Sequence, residues 1–461
     1  MKKTEVVVIA VLFPMAIWLS LSYLHDQMVP IELPLVLISL VVFLGLRDAY
    51  IGKLSYFTFL MLAFFCAPVL PLFAYFFEGD VNWGWTPEMR AGIDHSVNLK
   101  IAIALAVGSI GLLIGSYLST WRRLQVKPLP TISPAIPIIG YATLCSLAIL
   151  LSYASAPTST IFAGQYGGEA LSTFAVYINF PGAYLVSYSI FILLAVDAVS
   201  HNRKHRVWKM MLLVVSVLFV AVFFQFMRGD REISGLLLSF LIFYIVRPFF
   251  YQGPYPLKKR MAKRRARKAV KFVIPVGFFL LALGVWRFTA SYGIFDLTNI
   301  FRHTPWVMTL TTFPAFFSSE LSEEMLWGRT YIEYVLSLPP GIVTNMLGVR
   351  RAIEADANLA TYLVATGMTS GGAHVALVGL ANFSVLGLLL VMTVYGWFSR
   401  WLERRAVYRR GIYLLIWLNL IAVLPVWFWY GEMAAVRAVM AAVITYFIWH
   451  INIFSYDMLL G

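Results

Sequence analysis

Charged residues are scarce in this chain. They make up only 13% of its 461 residues, whereas 60% of the residues are hydrophobic. A water-soluble protein of this length cannot bury so much apolar surface, so the composition excludes the soluble globular classes. The mean hydropathy of +0.79 agrees with that exclusion. We therefore expect a membrane protein with many spans.

Cysteine is almost missing, and so are the common cofactor motifs. The two cysteines, Cys66 and Cys145, both fall in apolar segments, where we interpret them as small buried hydrophobic residues. The predicted outer side has no HxxxH, CxxC or DxD pattern, and the chain has no glycine-rich phosphate loop and no nucleophile elbow. The sequence therefore predicts chemistry without a metal, a nucleotide or another cofactor.

Apolar runs of membrane length dominate the chain. A helix needs about twenty residues to cross ~30 Å of hydrocarbon, and backbone groups in lipid must all be paired. We predict an all-α polytopic membrane protein with about twelve transmembrane helices and one large extracytoplasmic helical loop. The predicted spans are Val6–Leu24, Ile31–Leu46, Tyr56–Phe77, Leu99–Tyr117, Ile136–Tyr153, Ala175–Val196, Trp208–Phe226, Ile233–Phe250, Val273–Trp286, Ser384–Phe398, Ile412–Trp429 and Ala434–Ile453.

These spans divide the chain into three parts. Residues 1–286 hold spans 1 to 9 with short loops, residues 287–383 form the large outer loop, and residues 384–461 hold the last three spans. The first apolar run lacks a small-residue cleavage pattern, so we expect it to be a span and not a signal peptide.

The distribution of charge predicts the orientation. With the N-terminus inside, most Lys and Arg residues fall in the connectors predicted to be cytoplasmic, and most Asp and Glu residues fall in the others. Short cytoplasmic loops retain basic residues, so both termini are predicted to be cytoplasmic and the large loop to be periplasmic. The basic run from Lys258 to Lys271 has no interleaved aromatic residues, so it is predicted to contact anionic membrane lipids and not nucleic acid.

Two arginines lie in a predicted outer tip, in the sequence Arg228-Gly229-Asp230-Arg231. Arginine is disfavoured on that side, and its guanidinium group forms two parallel hydrogen bonds to phosphate oxygens. We therefore predict that Arg228 and Arg231 bind a diphosphate group, with Asp230 as a reserve base. The alternative is a tight hairpin in which Arg231 pairs with Asp230 or Glu232.

The large outer loop carries most of the remaining polar chemistry. His374 stands just before the predicted re-entry into the membrane at Asn382, and histidine titrates near neutral pH, so His374 is the leading candidate for a base that accepts a hydroxyl proton. A hydrogen-bonded structural role for His374 fits equally well. Glu320 is a second reserve base. Phosphate or sugar contacts are predicted for Arg287, Arg302, Arg329, Tyr331, Arg350, Arg351, Glu320 and Asn382.

Several short motifs resemble those of the Wzy-type O-antigen and exopolysaccharide polymerases, which join oligosaccharide repeat units. The resemblance covers roughly residues 226–401, and it includes the arginine-containing tip. The chain departs from the family at Ser384, where glycine is more typical, and at residues 378–381, where an acidic residue is often found. The other motifs are Trp327-Gly328-Arg329-Thr330-Tyr331, Pro339-Pro340, Gly371-Gly372-Ala373-His374 and Ala381-Asn382-Phe383-Ser384 with Gly387.

This resemblance implies a fold, a reaction and partners. The fold would be the GT-C-like architecture of lipid-linked glycosyltransferases, in the bacterial inner (cytoplasmic) membrane. The enzyme would transfer a growing glycan from undecaprenyl diphosphate to an incoming undecaprenyl diphosphate-linked repeat unit on the periplasmic side, with inversion and without a metal. Its partners would be these lipid-linked donor and acceptor glycans, membrane lipids, a chain-length regulator and a flippase.

Two other functions fit the same sequence. An O-antigen ligase-type glycosyltransferase would share the arginines and the histidine and would differ in its acceptor. A lipid-linked sugar flippase or transporter comes from another class, and twelve spans with both ends inside are common among transporters. Against it, most charged residues are predicted outside the hydrocarbon and not at its midplane.

Overall fold

Helices account for the secondary structure in the part of the chain that the computed structural model describes, and no strand occurs there. The structure describes residues 3–27, 29–50, 54–69, 95–119, 232–250, 257–269, 271, 312–313, 316–317, 322, 325–336, 373–409, 411–430 and 433–460. Its helices are α1 (Lys3–Leu24), α2 (Glu32–Tyr50), α3 (Tyr56–Cys66), α4 (His95–Leu118), α5 (Glu232–Val246, followed by a 3-10 turn at Arg247–Phe250), α6 (257–269), α7 (Arg329–Leu336), α8 (Val375–Tyr408), α9 (Ile412–Ala422), α10 (Leu424–Tyr430) and α11 (Met433–Leu460).

Four helices in these ranges are long and apolar enough to cross a membrane. They lie at Glu5–Leu24 in α1, Glu32–Tyr50, Ser96–Leu118 in α4, and Val375–Tyr408. The predicted class, an all-α membrane protein, is confirmed at this level. The count of about twelve spans, the GT-C-like arrangement, the three-part division of the chain and the cytoplasmic position of the termini stay predictions.

The helix α8 differs most from its predicted span. The predicted span begins at Ser384, whereas helical residues run from Val375 to Tyr408 with a break at Phe383 and Ser384, so the predicted start coincides with the start of the helical part after the break. Residues 375–381 are almost all apolar and contain no proline, so nothing in their chemistry stops a helix. The sequence prediction placed the start at a polar residue that turns out to be a break inside the helix.

The described helices fall into two units, and each is considered by itself. The first contains α1 to α4, α7, α8 as far as Glu403, and α10. The second contains α5, α6, the end of α8 from Arg404, α9, and nearly all of α11. Within the second unit α5 packs on α9, where a Cβ on Gly235 would overlap the carbonyl group of Ala422.

The core of the first unit is built on α4. This helix contacts α1, α2 and α3, and almost all of its span is buried. Two glycines allow α4 and α8 to approach closely, because a Cβ on Gly115 would overlap the carbonyl oxygen of Thr393, and one on Gly396 would overlap that of Leu112. Small residues permit such close contact between membrane helices, where van der Waals packing drives association.

A buried carboxylate joins α2 to α4. Asp48 is 2% exposed. Its Oδ1 lies 2.8 Å from Nη2 of Arg47, and its Oδ2 accepts a hydrogen bond of 2.6 Å from the hydroxyl of Tyr117. If this buried carboxylate were replaced by an apolar group, its hydrogen-bond donors would be left unpaired. Asp48 therefore stabilises the contact between the ends of these two helices.

Two further charged side chains extend this arrangement to α8 and α3. Arg400 is buried and donates a hydrogen bond of 2.6 Å to the carbonyl oxygen of Ser116. Glu403 accepts hydrogen bonds from the backbone N–H groups of Tyr56 (3.3 Å) and Phe57 (2.9 Å), which begin α3. A carboxylate is well suited to the unpaired N–H groups of a helix start. We call Arg47, Asp48, Tyr117, Arg400 and Glu403 the charged cluster.

Candidate functional site

The helix α8 is interrupted at Phe383 and Ser384. Phe383 has φ −143° and ψ 15°, and Ser384 has φ 59° and ψ −174°. The conformation of Ser384 lies in a region that is essentially restricted to glycine, so the serine backbone is strained there. An interruption also deprives the preceding carbonyl groups of their helical partners. These carbonyls need other donors.

A segment distant in sequence supplies those donors. The backbone N–H of Leu326 donates to the carbonyl oxygen of Ala381 at 2.9 Å, and that of Trp327 donates to Asn382 at 3.0 Å. Residues 325–332 thus cap the first part of α8 through their own backbone. We call residues 325–332 together with residues 374–387 the kink junction.

Asn382 ties the two sides of the kink junction together. Its side chain is fully buried, and its Nδ2 donates to the hydroxyl of Thr330, also fully buried, and to the carbonyl oxygen of Val378 at 2.8 Å. Exchanging the amide oxygen and nitrogen would set Oδ1 against the Val378 carbonyl, so the amide orientation is determined. Oδ1 then has no hydrogen-bond partner among the described residues. The predicted contact of Asn382 with substrate stays a prediction.

The ring of Phe383 is the packing centre of the kink junction. Tyr331 stacks on it, with ring centroids 6.1 Å apart and an interplanar angle of 11°. A Cβ on Gly328 would lie 3.1 Å from Cζ of Phe383, and Gly328 has φ +84°, a conformation that L side chains rarely adopt. A Cβ on Gly387 would overlap Cβ of the same phenylalanine. The absence of a side chain at these two glycines therefore leaves room for Phe383.

His374 lies in an aromatic enclosure at the start of α8. The side chain is 1% exposed, and its ring centroid lies 5.3 Å from Phe65, 6.0 Å from Phe313 and 6.2 Å from Phe428. Nδ1 accepts a hydrogen bond of 3.2 Å from the N–H of Ala376. The proton of the neutral ring is therefore assigned to Nε2. This nitrogen has no hydrogen-bond partner in the described part of the chain.

This environment determines the protonation of His374. Burial lowers the pKa of His374 to about 3, because the enclosure disfavours the charged imidazolium. The ring is neutral at pH 7, and its basic lone pair already accepts the Ala376 N–H. Accepting a substrate proton would require the ring to leave the enclosure. The role of His374 as a base stays a prediction, and the contacts present are those of the structural alternative.

Several residues of the kink junction are exposed, and most of these are apolar. Trp327 is 74% exposed, Ile332 is 60% exposed and Met325 is 46% exposed, and the exposed Arg329 lies between them. Trp327 has φ 48°, an uncommon value for a large side chain. Trp327 is part of a predicted motif but not one of the predicted site residues. A bulky aromatic residue immediately before a glycine is the sequence feature that could have indicated it.

The structure brings four of the predicted site residues to the kink junction. Arg329, Tyr331 and Asn382 lie within a few residues of the contacts between its two segments, and His374 lies at its start. Sequence analysis did not single out Trp327, Thr330 or Phe383 as site residues. The remaining predicted residues lie outside the described part of the chain: Arg228, Asp230, Arg231, Arg287, Arg302, Glu320, Arg350 and Arg351.

Comparison with known proteins does not identify a family for this chain. No protein-family model, no curated protein and no solved structure matches this chain. The membership in the Wzy-type polymerases is therefore a prediction that depends on the short motifs and on how they pack.

Proposed function

We propose that this protein polymerises undecaprenyl diphosphate-linked oligosaccharide repeat units at the outer face of the bacterial inner membrane. It is an inverting, metal-independent glycosyltransferase of the Wzy type. The observation that carries the proposal is the kink junction, in which two motifs of the resemblance, at residues 327–331 and 381–384, pack directly against each other.

The packing of these motifs favours a shared site over a chance similarity. About fifty residues separate the two motifs in sequence, yet two backbone hydrogen bonds and the Asn382–Thr330 side-chain bond connect them. Ser384 adopts a glycine-type conformation at the position where glycine is more typical of the family. Both features are expected if the local backbone of the family is retained here.

The reaction is a single displacement at the anomeric carbon of the donor glycan. The acceptor hydroxyl oxygen forms a bond to that carbon, the bond from the carbon to the diphosphate oxygen breaks, and its electron pair leaves with undecaprenyl diphosphate. The hydroxyl proton passes to a base. The departing diphosphate gains negative charge, so fixed cations stabilise the transition state more than the ground state.

Arginines are assigned to the diphosphate. Arg228 and Arg231 are the leading contacts, and Arg329, which is exposed at the kink junction, is the one predicted arginine contact among the described residues. Guanidinium is permanently charged and forms paired hydrogen bonds to phosphate oxygens. The base is assigned to His374 after rearrangement of its enclosure, or to Asp230 or Glu320.

The charged residues of α2 and α8 weigh against the transporter alternative. Asp48 and Glu403 bond to neighbouring helices near the ends of α2 and α8. Transporters place ionisable groups near the bilayer midplane, where substrate and coupling ions bind. Asp48 and Glu403 instead bond to protein groups near helix ends, as carboxylates with a structural role do.

A reconstituted assay tests the proposal. The purified protein in lipid vesicles receives a synthetic undecaprenyl diphosphate-linked repeat unit, and gel electrophoresis resolves the products. A ladder of glycans is expected from the wild type, and Arg228→Ala and Arg231→Ala are each expected to lower the rate about 100-fold or more, in line with loss of one transition-state donor. The matched control is Arg264→Ala, which removes an exposed arginine from α6 and is expected to leave the rate unchanged.

The products also separate the alternatives. A single transfer to a different acceptor, without a ladder, would favour the ligase. Passage of the lipid-linked unit across the vesicle membrane without any new glycosidic bond would favour the flippase. Normal rates in both arginine variants would remove these residues from the mechanism.

A further inference from the structure

Trp327 combines two features that are each unfavourable. Trp327 is 74% exposed, the highest value among the large hydrophobic residues that the structure describes. Its backbone also has φ 48°, in the left-handed region that bulky residues rarely adopt. Strained backbone conformations cluster at active sites and ligand-binding segments, so this one motivates a search for a functional role.

The surrounding contacts hold the backbone of this tryptophan in place. Its N–H donates to the carbonyl oxygen of Asn382, and the next residue, Gly328, lies against the ring of Phe383. Three residues further on, the buried Thr330 bonds to Asn382. The backbone on both sides of Trp327 is thus attached to α8, and the indole is presented from a rigid support.

An interfacial anchor is the simpler role for an exposed tryptophan, and Trp18 serves as the comparison. Trp18 is 46% exposed on the membrane helix α1 and has an ordinary helical environment. Anchoring at the membrane interface requires exposure at the right depth but no particular backbone conformation. The strained and supported backbone of Trp327 is therefore unexplained by anchoring alone.

Arg329 lies two residues from Trp327, on the same exposed turn. A glycan joined to a diphosphate presents the apolar face of a sugar ring next to a doubly charged group. The negative face of an indole attracts the positively polarised C–H groups of such a ring, and a guanidinium attracts phosphate oxygens. An aromatic ring and a cation two residues apart on one exposed turn are suited to a ligand in which a sugar adjoins a phosphate.

We infer that Trp327 is a stacking surface for the sugar ring attached to the lipid diphosphate, with Arg329 beside the phosphate. The inference rests on the proposed function, because it takes its ligand class from that function. It adds a substrate-binding residue and assigns it to the sugar and not to the lipid. The sugar next to the diphosphate contacts the indole face, and the lipid chain does not.

Binding to two lipid probes tests this assignment. The protein in nanodiscs is titrated with undecaprenyl diphosphate and with undecaprenyl diphosphate-glucose, and the ratio of the two affinities measures the contribution of the sugar. We expect wild type to prefer the sugar-bearing probe about 5- to 10-fold, the range of a single aromatic contact. Trp327→Leu should abolish this preference, and Trp327→Phe should keep most of it, because phenylalanine retains a ring face.

Matched variants and separate readouts keep the outcomes distinct. Trp18→Leu removes an exposed tryptophan elsewhere and should leave the preference unchanged. A Trp327→Leu protein that keeps the full preference, or that loses affinity for both probes equally as an anchor would, overturns the inference.

The polymerisation ladder reports on the proposed function by itself. If the sugar preference depends on Trp327 but no ladder forms, the polymerase alone is refuted. If a ladder forms but Trp327→Leu leaves the preference unchanged, the stacking surface alone is refuted.

Discussion

The charged cluster and the kink junction, which both include residues of α8, differ in how their polar groups are hydrogen-bonded. In the charged cluster, Asp48, Arg400 and Glu403 bond to protein donors or acceptors. At the kink junction, Asn382 Oδ1 and His374 Nε2 are buried and find no hydrogen-bond partner within the described ranges. From the break at Ser384 to Arg400 the distance along α8 is about 24 Å, at about 1.5 Å per residue.

The backbone differs in the same way. Around the charged cluster α8 keeps its helical conformation, whereas the kink junction contains left-handed or glycine-type conformations at Trp327 and Ser384. Buried unpaired atoms and strained backbone both lower stability, and they persist where function requires them. The charged cluster therefore contributes to stability, and the kink junction is where we expect function.

The largest expected effect concerns the charged cluster. Asp48→Asn replaces a buried carboxylate that accepts from Arg47 and Tyr117, so it should lower the free energy of unfolding by about 3 kcal/mol. Thermal unfolding in detergent measures the change. Asp26→Asn is the matched control, because the Asp26 side chain is 72% exposed in its ion pair with Lys100 and should contribute less than about 1 kcal/mol. Equal shifts in the two variants would contradict a stabilising role for the cluster.

A smaller effect is expected from pH at the kink junction. His374 has a folded-state pKa lowered by burial to about 3, whereas the unfolded chain binds this proton below about 6.5. The unfolded state therefore binds more protons between these two values, and stability falls as pH drops from 6.5 towards 3. The loss from this group is about 2 kcal/mol at pH 5, relative to pH 7.

His374→Asn isolates this contribution. Asparagine offers an acceptor near the position of Nδ1 but does not titrate, so the variant should lose less stability than wild type when unfolding is measured at pH 7, 6 and 5. The difference between the two pH profiles is the measured quantity, and a lower stability of the variant at pH 7 does not affect it. Parallel profiles would show that His374 takes up its proton in the folded state, which would favour an accessible base.

The smallest effect concerns the break in α8. Ser384→Gly should raise the free energy of unfolding by about 1 kcal/mol, because glycine adopts φ 59° and ψ −174° without steric strain. Ser109→Gly in the interior of α4 is the opposite case and should lower it by about 1 kcal/mol, since glycine is unfavourable within a regular helix and the hydrogen bond from the Ser109 hydroxyl to the Ala106 carbonyl is lost. Thermal unfolding of both variants measures the pair. Destabilisation by Ser384→Gly would contradict the strained conformation.

Several helices could be predicted from the sequence because their segments are hydrophobic and of membrane length. The apolar segments that became α1, α2, α4 and α11 were predicted as spans, because membrane length and hydrophobicity depend on composition alone. The predicted span start at Ser384 coincides with the break in α8, whereas the helical residues from Val375 to that break were not predicted as part of a span. The Asn382 side chain bonds to Thr330 in the segment 325–332, and no local rule relates segments about fifty residues apart.

The candidate site was predicted in part for the same reason. Arg329, Tyr331, Asn382 and His374 were singled out from residue type and from the resemblance, and they lie at or beside the kink junction. The aromatic enclosure of His374 comes from Phe65, Phe313 and Phe428, which belong to three distant stretches of the chain. Burial of a histidine by distant residues cannot be read from its sequence neighbours.

The hydrophobic runs are enough to specify a helical membrane protein, because such runs of membrane length have no other stable arrangement in lipid. Which polar groups pack against one another and which stay exposed depends on contacts between segments distant in sequence. Asn382 and Thr330 became a buried pair, and Trp327 became exposed, because a break in α8 needed backbone donors from residues 325–332. That pairing is a property of two segments in contact, and neither segment specifies it alone.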